Sequence, residues 1–432
     1  MYFKSSLFNF VVEKERDRDK VLIFNTLSGC VCRLENAIWE RLESDTDIDE
    51  TIPFFDSLLK QGIIVPQELD EAGFVLQREN QAKYAVKADT LNFVITPTMK
   101  CNLKCYYCFE AKQSDCGLMT EDTAAKIIAF ISKSISSDTK KIHIGWFGGE
   151  PLVAYETIKS FSKEIIALCE SKNLTYSSSM ITNGILLTKE KATVLKEECK
   201  LNSVQITLDG TEKEYCLRKR ATPEQYNAVL NNIADCCETF RVIVRLNCDK
   251  KNYSDLLAVT DELLRNRKLE EKIKIYLAPV TDYLGEGISC CSDNEFDEYA
   301  IKFDEYLIKN YPAYKYPPEL PKSRFIFCGL KRNNSFAIGV HGEIYKCEHD
   351  FGNDDKIIGR AESGIFYNKY YNDFMKLELS DKCKQCRLLP ICLGGCPSRR
   401  YDTKKEICTF TEQLVRYKIK KIVSLQENQR KA

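Results

Sequence analysis

The stretch CNLKCYYC, residues 101–108, places three cysteines and two tyrosines within eight residues. Three thiolates on one short loop suit three irons of a cubane cluster and leave the fourth iron without a protein ligand. An open metal position is where a substrate or cofactor binds, and the aromatic side chains would shield the cluster. A zinc site completed by a distant ligand, or three unrelated thiols, are the alternatives that this spacing leaves open.

The whole chain is rich in cysteine and poor in histidine, with 21 cysteines and three histidines in 432 residues. No signal peptide is recognisable, so we expect a cytoplasmic protein, and in that reducing compartment clustered cysteines indicate metal rather than disulfides. A thiolate-rich set favours iron–sulfur clusters or zinc held by four cysteines. Because the net charge is zero and no apolar run is long enough to span a bilayer, we expect neither nucleic acid nor membrane as a partner.

Strand and helix patterns alternate from residue 89 to residue 284. Apolar strand patterns recur in LNFVITP, KIHIGWF, SSSMITN, NSVQITLDG, FRVIVRLN and KIKIYLAP, with helical patterns such as TEDTAAKIIAFISKSI between them. Six such units predict an α/β fold of parallel strands covered by helices. Sites in these folds lie at the carboxyl ends of the strands, which is where the cysteine loop and GGEP, residues 148–151, fall.

Cys101, Cys105 and Cys108 match the CxxxCxxC loop of the radical S-adenosylmethionine (SAM) enzymes, and GGEP resembles the SAM-amine-binding motif of that family. The resemblance implies a partial (β/α)6 TIM-like barrel in which SAM chelates the open iron of a [4Fe–4S] cluster. The reduced cluster cleaves SAM, and a 5′-deoxyadenosyl radical removes hydrogen from the substrate. The expected SAM contacts are Tyr107, Gly148, Gly149, Glu150, Pro151, Asn183, Thr207, Asp209 and Arg220. For the last four, strand-end caps and surface polar groups are the alternative.

A second array of seven cysteines occupies the last third of the chain. It consists of Cys328, Cys347, Cys383, Cys386, Cys392, Cys396 and Cys408, with the spacing CxxCxxxxxCxxxC at its centre. The array resembles the SPASM domain, which implies two auxiliary [4Fe–4S] clusters and three clusters in all. By that resemblance Cys383, Cys386, Cys392 and Cys408 hold the distal cluster, and Cys328, Cys347 and Cys396 hold the proximal one. A zinc ribbon is the alternative.

The proximal set is one ligand short of four. Cys290 or Cys291 could fill the vacancy; otherwise that cluster has an open iron, able to bind a substrate thiolate, or a non-cysteine ligand. Glu348, His349 and Asp350 follow Cys347 and are candidate proton acceptors, with a solvated or capping loop as the alternative.

Residues 1–88 are the first of three predicted domains, followed by the barrel at 89–284 and by a bridging helix with the SPASM domain at 285–432. Strand patterns in SLFNFVVEK, KVLIFNTLSG and CVCRL precede two helical patterns. This order resembles the winged-helix-like peptide-recognition element fused to maturases of ribosomally made peptides. Such a fold can accept a leader peptide as an added β-strand, and a plain structural extension is the alternative.

These resemblances imply a radical SAM oxidoreductase of the SPASM type that modifies a ribosomally synthesised precursor peptide. The predicted product is a crosslink, with a cysteine thioether preferred and a carbon–carbon or ether link next, and a flavodoxin or ferredoxin is the expected electron donor. One alternative is an anaerobic sulfatase maturase that forms formylglycine, against which the long N-terminal region and Glu348 count. The other is a non-enzymatic iron–sulfur or zinc-binding protein.

Overall fold

The computed structural model describes residues 2–15, 17, 19–45, 47–85, 89–110, 117–283, 285, 287–314 and 319–431, without the side chains of 428–431. The chain divides into two compact units. Unit 1 comprises residues 1–85, 317–332 and 376–432, and unit 2 comprises residues 86–316 and 333–375. The third predicted domain, 285–432, therefore contributes residues to both units, and the predicted domain boundaries stay predictions.

Strands and helices follow one another in the order described here. The strands are β1 (Phe3–Ser5), β2 (Asn9–Glu15), β3 (Lys20–Asn25), β4 (Val31–Glu35), β5 (Ile64–Pro66), β6 (Thr90–Ile95), β7 (Lys141–Trp146), β8 (Thr175–Thr182), β9 (Leu201–Leu208), β10 (Arg241–Cys248), β11 (Ile273–Pro279), β12 (Ser335–Ile338), β13 (Glu343–Tyr345), β14 (Gly359–Arg360) and β15 (Gly364–Ile365). The helices are α1 (Asn36–Ser44), α2 (Phe55–Lys60), α3 (Glu71–Lys83), α4 (Glu121–Ser134), α5 (Tyr155–Ser171), α6 (Lys189–Glu197), α7 (Glu212–Lys219), α8 (Pro223–Cys236), α9 (Tyr253–Asp261), α10 (Asp293–Asn310), α11 (Lys369–Met375), α12 (Asp381–Lys384), α13 (Leu389–Cys392), α14 (Pro397–Thr403) and α15 (Glu412–Lys431). Short 3₁₀ segments lie at Pro151–Ala154, Gly329–Lys331, Glu348–Asp350 and Asp354–Lys356, and a π-helical segment lies at Glu262–Asn266.

Unit 2 is built on one open ten-stranded sheet. Strands β6 to β11 are parallel and lie in chain order, and β12 pairs parallel to the other side of β6, followed by antiparallel β13, β14 and β15. Parallel neighbours require crossover connections, which α4 to α9 supply. The described strands form no closed barrel, and the parallel arrangement of the six predicted strands is confirmed.

Unit 1 contains a three-stranded antiparallel sheet with the order β2-β3-β4, apolar on both faces. Val21 and Ile23 of β3 pack against Trp39 of α1 on one face. Phe24 packs toward Ile419 of α15 on the other face. The three strands and α1 overlap the predicted patterns, whereas β1, β5 and α3 were not predicted. Among the described residues, no helix combines the length and the apolar character needed to cross a bilayer.

Candidate functional site

The cysteine loop, residues 101–108, follows β6 and rests on the carboxyl end of α7. The backbone N–H groups of Lys104 and Tyr106 donate to the carbonyls of Lys219 and Arg218 at 3.2 and 3.0 Å. The last carbonyls of a helix have no intrahelical partners, so the loop satisfies groups that would otherwise need another donor. These two hydrogen bonds tie the backbone that carries the three thiols to α7.

A buried ion pair lies beside the first tyrosine of the loop. The Arg218 guanidinium donates to both carboxylate oxygens of Asp249 at 2.8 and 3.0 Å, and also contacts Glu214. The Tyr106 hydroxyl donates to Asp249 at 2.9 Å and accepts from Arg218 at 3.0 Å. The Arg218 and Asp249 side chains are 4% and 1% exposed, so each is the counter-charge that makes burial of the other tolerable.

The second tyrosine of the loop lies in a separate buried network. The Tyr107 hydroxyl donates to Asp209 at 2.5 Å and accepts from Lys219 at 3.2 Å and from Asn247 at 3.1 Å. Burial, and then the Asp209 charge, raise the pKa of Tyr107 well above its ordinary value. Burial alone would lower the pKa of Lys219, but Asp209, 3.7 Å from its ammonium, raises it. Both tyrosines are thus oriented by buried charges.

The GGEP turn packs on the backbone that leads into the cysteine loop. A Cβ on Gly148 would lie 2.4 Å from the carbonyl oxygen of Thr98, and a Cβ on Gly149 would lie 2.3 Å from that of Met99. Both glycines are therefore required for the approach of two backbone segments. Both also line the cavity described below.

The acidic residue of the same turn is fully buried. Glu150 accepts hydrogen bonds from the backbone N–H groups of Leu152 at 3.0 Å and Asn183 at 2.7 Å, and from the Thr182 hydroxyl at 2.8 Å. Burial raises the pKa of Glu150, and these hydrogen bonds oppose that shift. Glu150 thus ties the turn to the carboxyl end of β8.

A cavity of about 700 Å³ lies at the carboxyl ends of the parallel strands. Its lining includes the three cysteines of the loop together with six of the expected SAM contacts, namely Tyr107, Gly148, Gly149, Asn183, Thr207 and Arg220. The other three, Glu150, Pro151 and Asp209, are buried and do not line it. A concave space of this size with three thiols and several polar groups fits a metal cluster with a small polar cofactor.

The cavity lining also includes Phe109, Glu110, Tyr283, Glu348 and His349, of which only Glu348 and His349 were singled out from the sequence. The His349 ring packs against Phe109 and Tyr283, with ring centroids 4.5 and 4.7 Å away. Glu110 is 7% exposed, and within the described residues its Oε1 has no hydrogen-bond partner. Burial and the charge of Glu348 raise the pKa of Glu110 to about 8. Only its position two residues after Cys108 could have pointed to Glu110.

The two carboxylates among the three predicted proton acceptors occupy different environments. Glu348 lines the cavity, and burial raises its pKa. Asp350 is buried, accepts hydrogen bonds from Lys356 at 2.8 Å and from Tyr370 at 2.9 Å, and does not line the cavity. Only Glu348 of the pair therefore faces the space in which a substrate could lie.

Five cysteines of the second array lie in unit 1 on short helical turns and loops: Cys383, Cys386, Cys392, Cys396 and Cys408. Gly394 and Gly395, with φ of +74° and +70°, separate two of them. A Cβ on Gly395 would lie 2.1 Å from the carbonyl oxygen of Ile407, so only glycine lets the segment before Cys408 approach. A set of soft thiolates gathered in this way fits an iron–sulfur cluster.

The predicted ligands of the proximal cluster do not all lie in one unit of the structure. Cys328 belongs to unit 1 and Cys347 to unit 2. Cys291 lies near Cys248, at the carboxyl end of β10, because the two thiols affect each other's pKa. The ligand set of the proximal cluster, including the choice between Cys290 and Cys291, therefore stays a prediction.

Residues 95–263 match the sequence model of the Radical SAM superfamily. This range begins at the end of β6 and contains both the cysteine loop and the GGEP turn. Residues 95–263 are a radical SAM domain. This match confirms the prediction of a radical SAM enzyme that uses SAM and a [4Fe–4S] cluster.

Known relatives extend the likeness beyond this domain. A cysteine-type anaerobic sulfatase-maturating enzyme of Clostridium perfringens (strain 13 / Type A) is 22% identical over 78% of this chain and 99% of its own length. The structure of native anSMEcpe with bound AdoMet and Cp18Cys peptide has a TM-score of 0.63 at 18% identity, over 78% of this chain and 99% of that one. Streptococcus suis SuiB bound to precursor peptide SuiA has a TM-score of 0.52 at 16% identity, over 94% of this chain and 98% of that one. These likenesses confirm the predicted α/β radical SAM fold.

Proposed function

We propose that this protein is a radical SAM peptide maturase that installs a crosslink, preferably a cysteine thioether, in a ribosomally made precursor peptide. The observation that supports this most is the extent of the fold likeness. SuiB, whose structure contains a precursor peptide, aligns over 94% of this chain, whereas the anSMEcpe fold aligns over 78%. The proposal accounts for unit 1 as a peptide-binding element as well as for the chemistry of unit 2.

In this proposal the cavity of unit 2 is the reaction chamber. Cys101, Cys105 and Cys108 would hold the SAM-binding cluster, and Asn183 and Thr207 would contact SAM beside it. When bound at the reduced cluster, SAM supplies the 5′-deoxyadenosyl radical that takes a hydrogen atom from the substrate. The aromatic wall of Phe109, Tyr283 and His349 would exclude water from that radical chemistry.

Glu348 is the proposed proton acceptor. After the radical has taken a hydrogen atom from the carbon, joining that carbon to the thiol sulfur releases the thiol proton and one electron. An auxiliary cluster would accept the electron, and the proton needs a base within the cavity. Glu348 lines the cavity, whereas Asp350 is engaged by Lys356 and Tyr370. We therefore expect E348Q to slow crosslinking and to leave SAM cleavage without peptide unchanged.

The leader peptide would add to the free edge of β4 in unit 1. The opposite edge strand, β2, is engaged by α15, because Arg416 contacts the carbonyls of Val11 and Val12 and Lys420 pairs with Glu13 at 2.8 Å. Among the described strands, β4 pairs with β3 alone. An extended peptide can complete such an edge through main-chain hydrogen bonds.

The test is anaerobic co-expression with candidate cysteine-containing precursor peptides, followed by mass spectrometry and thiol alkylation. A thioether product loses two hydrogens, retains its sulfur and resists alkylation, and its formation should require Cys105. A product that loses two hydrogens and still alkylates would indicate a carbon–carbon or ether link. A peptide that binds without any mass change while SAM is cleaved would contradict the proposed activity. Reduced flavodoxin and ferredoxin, compared with dithionite, test the proposed electron donors.

Formylglycine formation is the second candidate function. It is favoured by the sulfatase-maturating relative from Clostridium perfringens, which matches this chain over 99% of its own length. The same mass spectra distinguish it, because oxidation of cysteine to formylglycine removes sulfur and adds a carbonyl oxygen. A sulfatase-derived peptide converted in this way would replace the crosslinking proposal.

A further inference from the structure

Four charged side chains are buried together in unit 1, and we call this group the basic patch. It consists of Glu79, Lys83, Lys331 and Arg400, which are 4%, 5%, 2% and 6% exposed. Lys331 donates to Glu79 at 2.5 Å, so these two charges are paired with each other. Buried charges are tolerated only when they are paired, and the Arg400 guanidinium therefore needs a partner of its own.

Arg400 is the cation of the patch that lies between Cys396 and Cys408 in the chain. It sits one turn after Cys396, and its backbone N–H donates to the Cys396 carbonyl at 3.1 Å. Its guanidinium lies against Gly394, where an added Cβ would lie 2.8 Å from Nη1. Nη2 donates to the Glu378 carbonyl, whereas Nη1 is buried and has no hydrogen-bond partner among the described residues.

The neighbouring thiols are the groups that could supply the negative charge that balances Arg400. Burial lowers the pKa of Arg400, and the charges of Cys383, Glu79 and Cys392 oppose that shift. Four thiolates on a [4Fe–4S] core leave a net negative group, whose reduction adds one more negative charge. A buried donor near such a group can form a charge-assisted hydrogen bond with it, and a nearby cation favours the more negative state.

We propose that Arg400 is the buried counter-charge of the auxiliary cluster held by Cys383, Cys386, Cys392 and Cys408, and that it raises the reduction potential of this cluster. The inference rests on the proposed function, because that function assigns a cluster to these cysteines. Arg400 acts here as a positioning and electrostatic residue and does not contact the substrate.

The test uses the full-length chain with Cys101, Cys105 and Cys108 replaced by alanine, so that only auxiliary clusters are reconstituted. Iron content is measured first, with about eight irons expected for two cubanes. Redox titration with dithionite, followed by electron paramagnetic resonance, then compares R400Q, R400K and the control R399Q, which changes the neighbouring and less buried arginine.

We expect R400Q to lower the reduced-to-oxidised ratio of one cluster about tenfold at a fixed potential, which is about 59 mV for a one-electron couple. R400K should retain most of the potential, and R399Q should match the parent. If R400Q fails to load one cluster while R400K loads it, the charge is required for assembly and the proposal stands. If R400Q binds both clusters and their reduction potentials are unchanged, the proposal is overturned. Equal loss of the cluster in R400Q and R400K also overturns it, because that result would mean that the packing of the arginine side chain, and not its charge, is needed.

The free energy of unfolding of the metal-free protein can be measured whether or not a variant binds its clusters. R400Q should be at least as stable as its parent in the metal-free protein and less stable once iron is bound, because the counter-charge helps only when the cluster is present. Equal destabilisation in both states would overturn the proposal. No iron on the parent chain would instead contradict the proposed function itself, since the cluster assigned to these cysteines would be missing.

Discussion

Two groups of buried basic side chains lie near the two cysteine groups, and they differ in how their charge is balanced. In unit 2, Arg218 pairs with Asp249 and Lys219 lies beside Asp209; we call these four residues the acid-paired patch. In unit 1, Lys331 of the basic patch pairs with Glu79, whereas Nη1 of Arg400 is buried without a hydrogen-bond partner among the described residues. The acid-paired patch therefore contains its own counter-charges, and Arg400 is the cation for which we propose a cluster as counter-charge.

This difference corresponds to two ways of preparing cysteines for metal. The loop 101–108 is held by backbone hydrogen bonds to α7 and by two tyrosines anchored in the acid-paired patch. It faces a cavity, so its metal would remain accessible to a small molecule. The array at 383–408 depends instead on left-handed glycines that bring chain segments together beside a guanidinium nitrogen of Arg400 that has no hydrogen-bond partner among the described residues.

Loss of a cysteine from the loop should have the largest effect on activity. C105A is expected to lower reductive SAM cleavage to background and to remove about four of about twelve irons. Because the loop is held by protein contacts, the stability of metal-free unit 2 should change little. C237A, at the carboxyl end of α8, is the matched control. SAM cleavage by C105A at the parental rate would contradict the assignment of this loop.

Breaking the acid-paired patch should cost the most stability. R218M leaves the Asp249 carboxylate buried without its partner and should lower the free energy of unfolding of unit 2 by about 3–5 kcal/mol. The double variant R218M/D249L should recover much of that loss, and R220M, which changes an exposed arginine, should cost little. Urea unfolding of W39F variants measures this, because Trp146 then reports on unit 2 alone. No recovery in the double variant would show that packing rather than charge dominates.

The basic patch should give unit 1 a dependence on alkaline pH that the acid-paired patch does not share. Burial, and then Lys331, lower the pKa of Lys83 to about 8 from 10.5. Between these pH values the unfolded chain binds more protons than the folded chain, so the contribution of Lys83 to the free energy of unfolding rises with pH.

The difference in free energy of unfolding between the parent and K83M should therefore grow by about 1–3 kcal/mol from pH 8 to pH 10.5. W146F variants isolate the signal of Trp39 in unit 1, and K60M, which changes an exposed lysine, controls for general charge. Metal-free protein is used so that the clusters do not contribute. If the difference in free energy of unfolding between the parent and K83M does not change with pH, the pKa of Lys83 is not lowered in the folded protein and this prediction is wrong.

The two patches also explain what could be predicted from the sequence. The six parallel strands are apolar runs, and the cysteine loop and array are defined by spacing, so both are visible without tertiary information. Helix α3 was missed because it buries Glu71, Glu79 and Lys83, which gives it no clear apolar stripe. The pairing of Arg218 with Asp249 joins residues from different elements, and only the folded sheet places them in contact.

The two tyrosines of the loop give the smallest and sharpest test of the acid-paired patch. Y107F removes a hydroxyl that donates to Asp209, whose Oδ1 has no hydrogen-bond partner among the described residues. Its loss should lower the free energy of unfolding of unit 2 by about 1–3 kcal/mol. Y106F should cost less, because Asp249 keeps both hydrogen bonds from Arg218. Trp146 fluorescence in the W39F background measures the unfolding of unit 2 in both variants. SAM cleavage should fall more in Y107F than in Y106F, since the Tyr107 side chain lies in the more deeply buried network. A larger cost for Y106F would mean that the ion pair depends on its hydroxyl, and that the patch is one network rather than two.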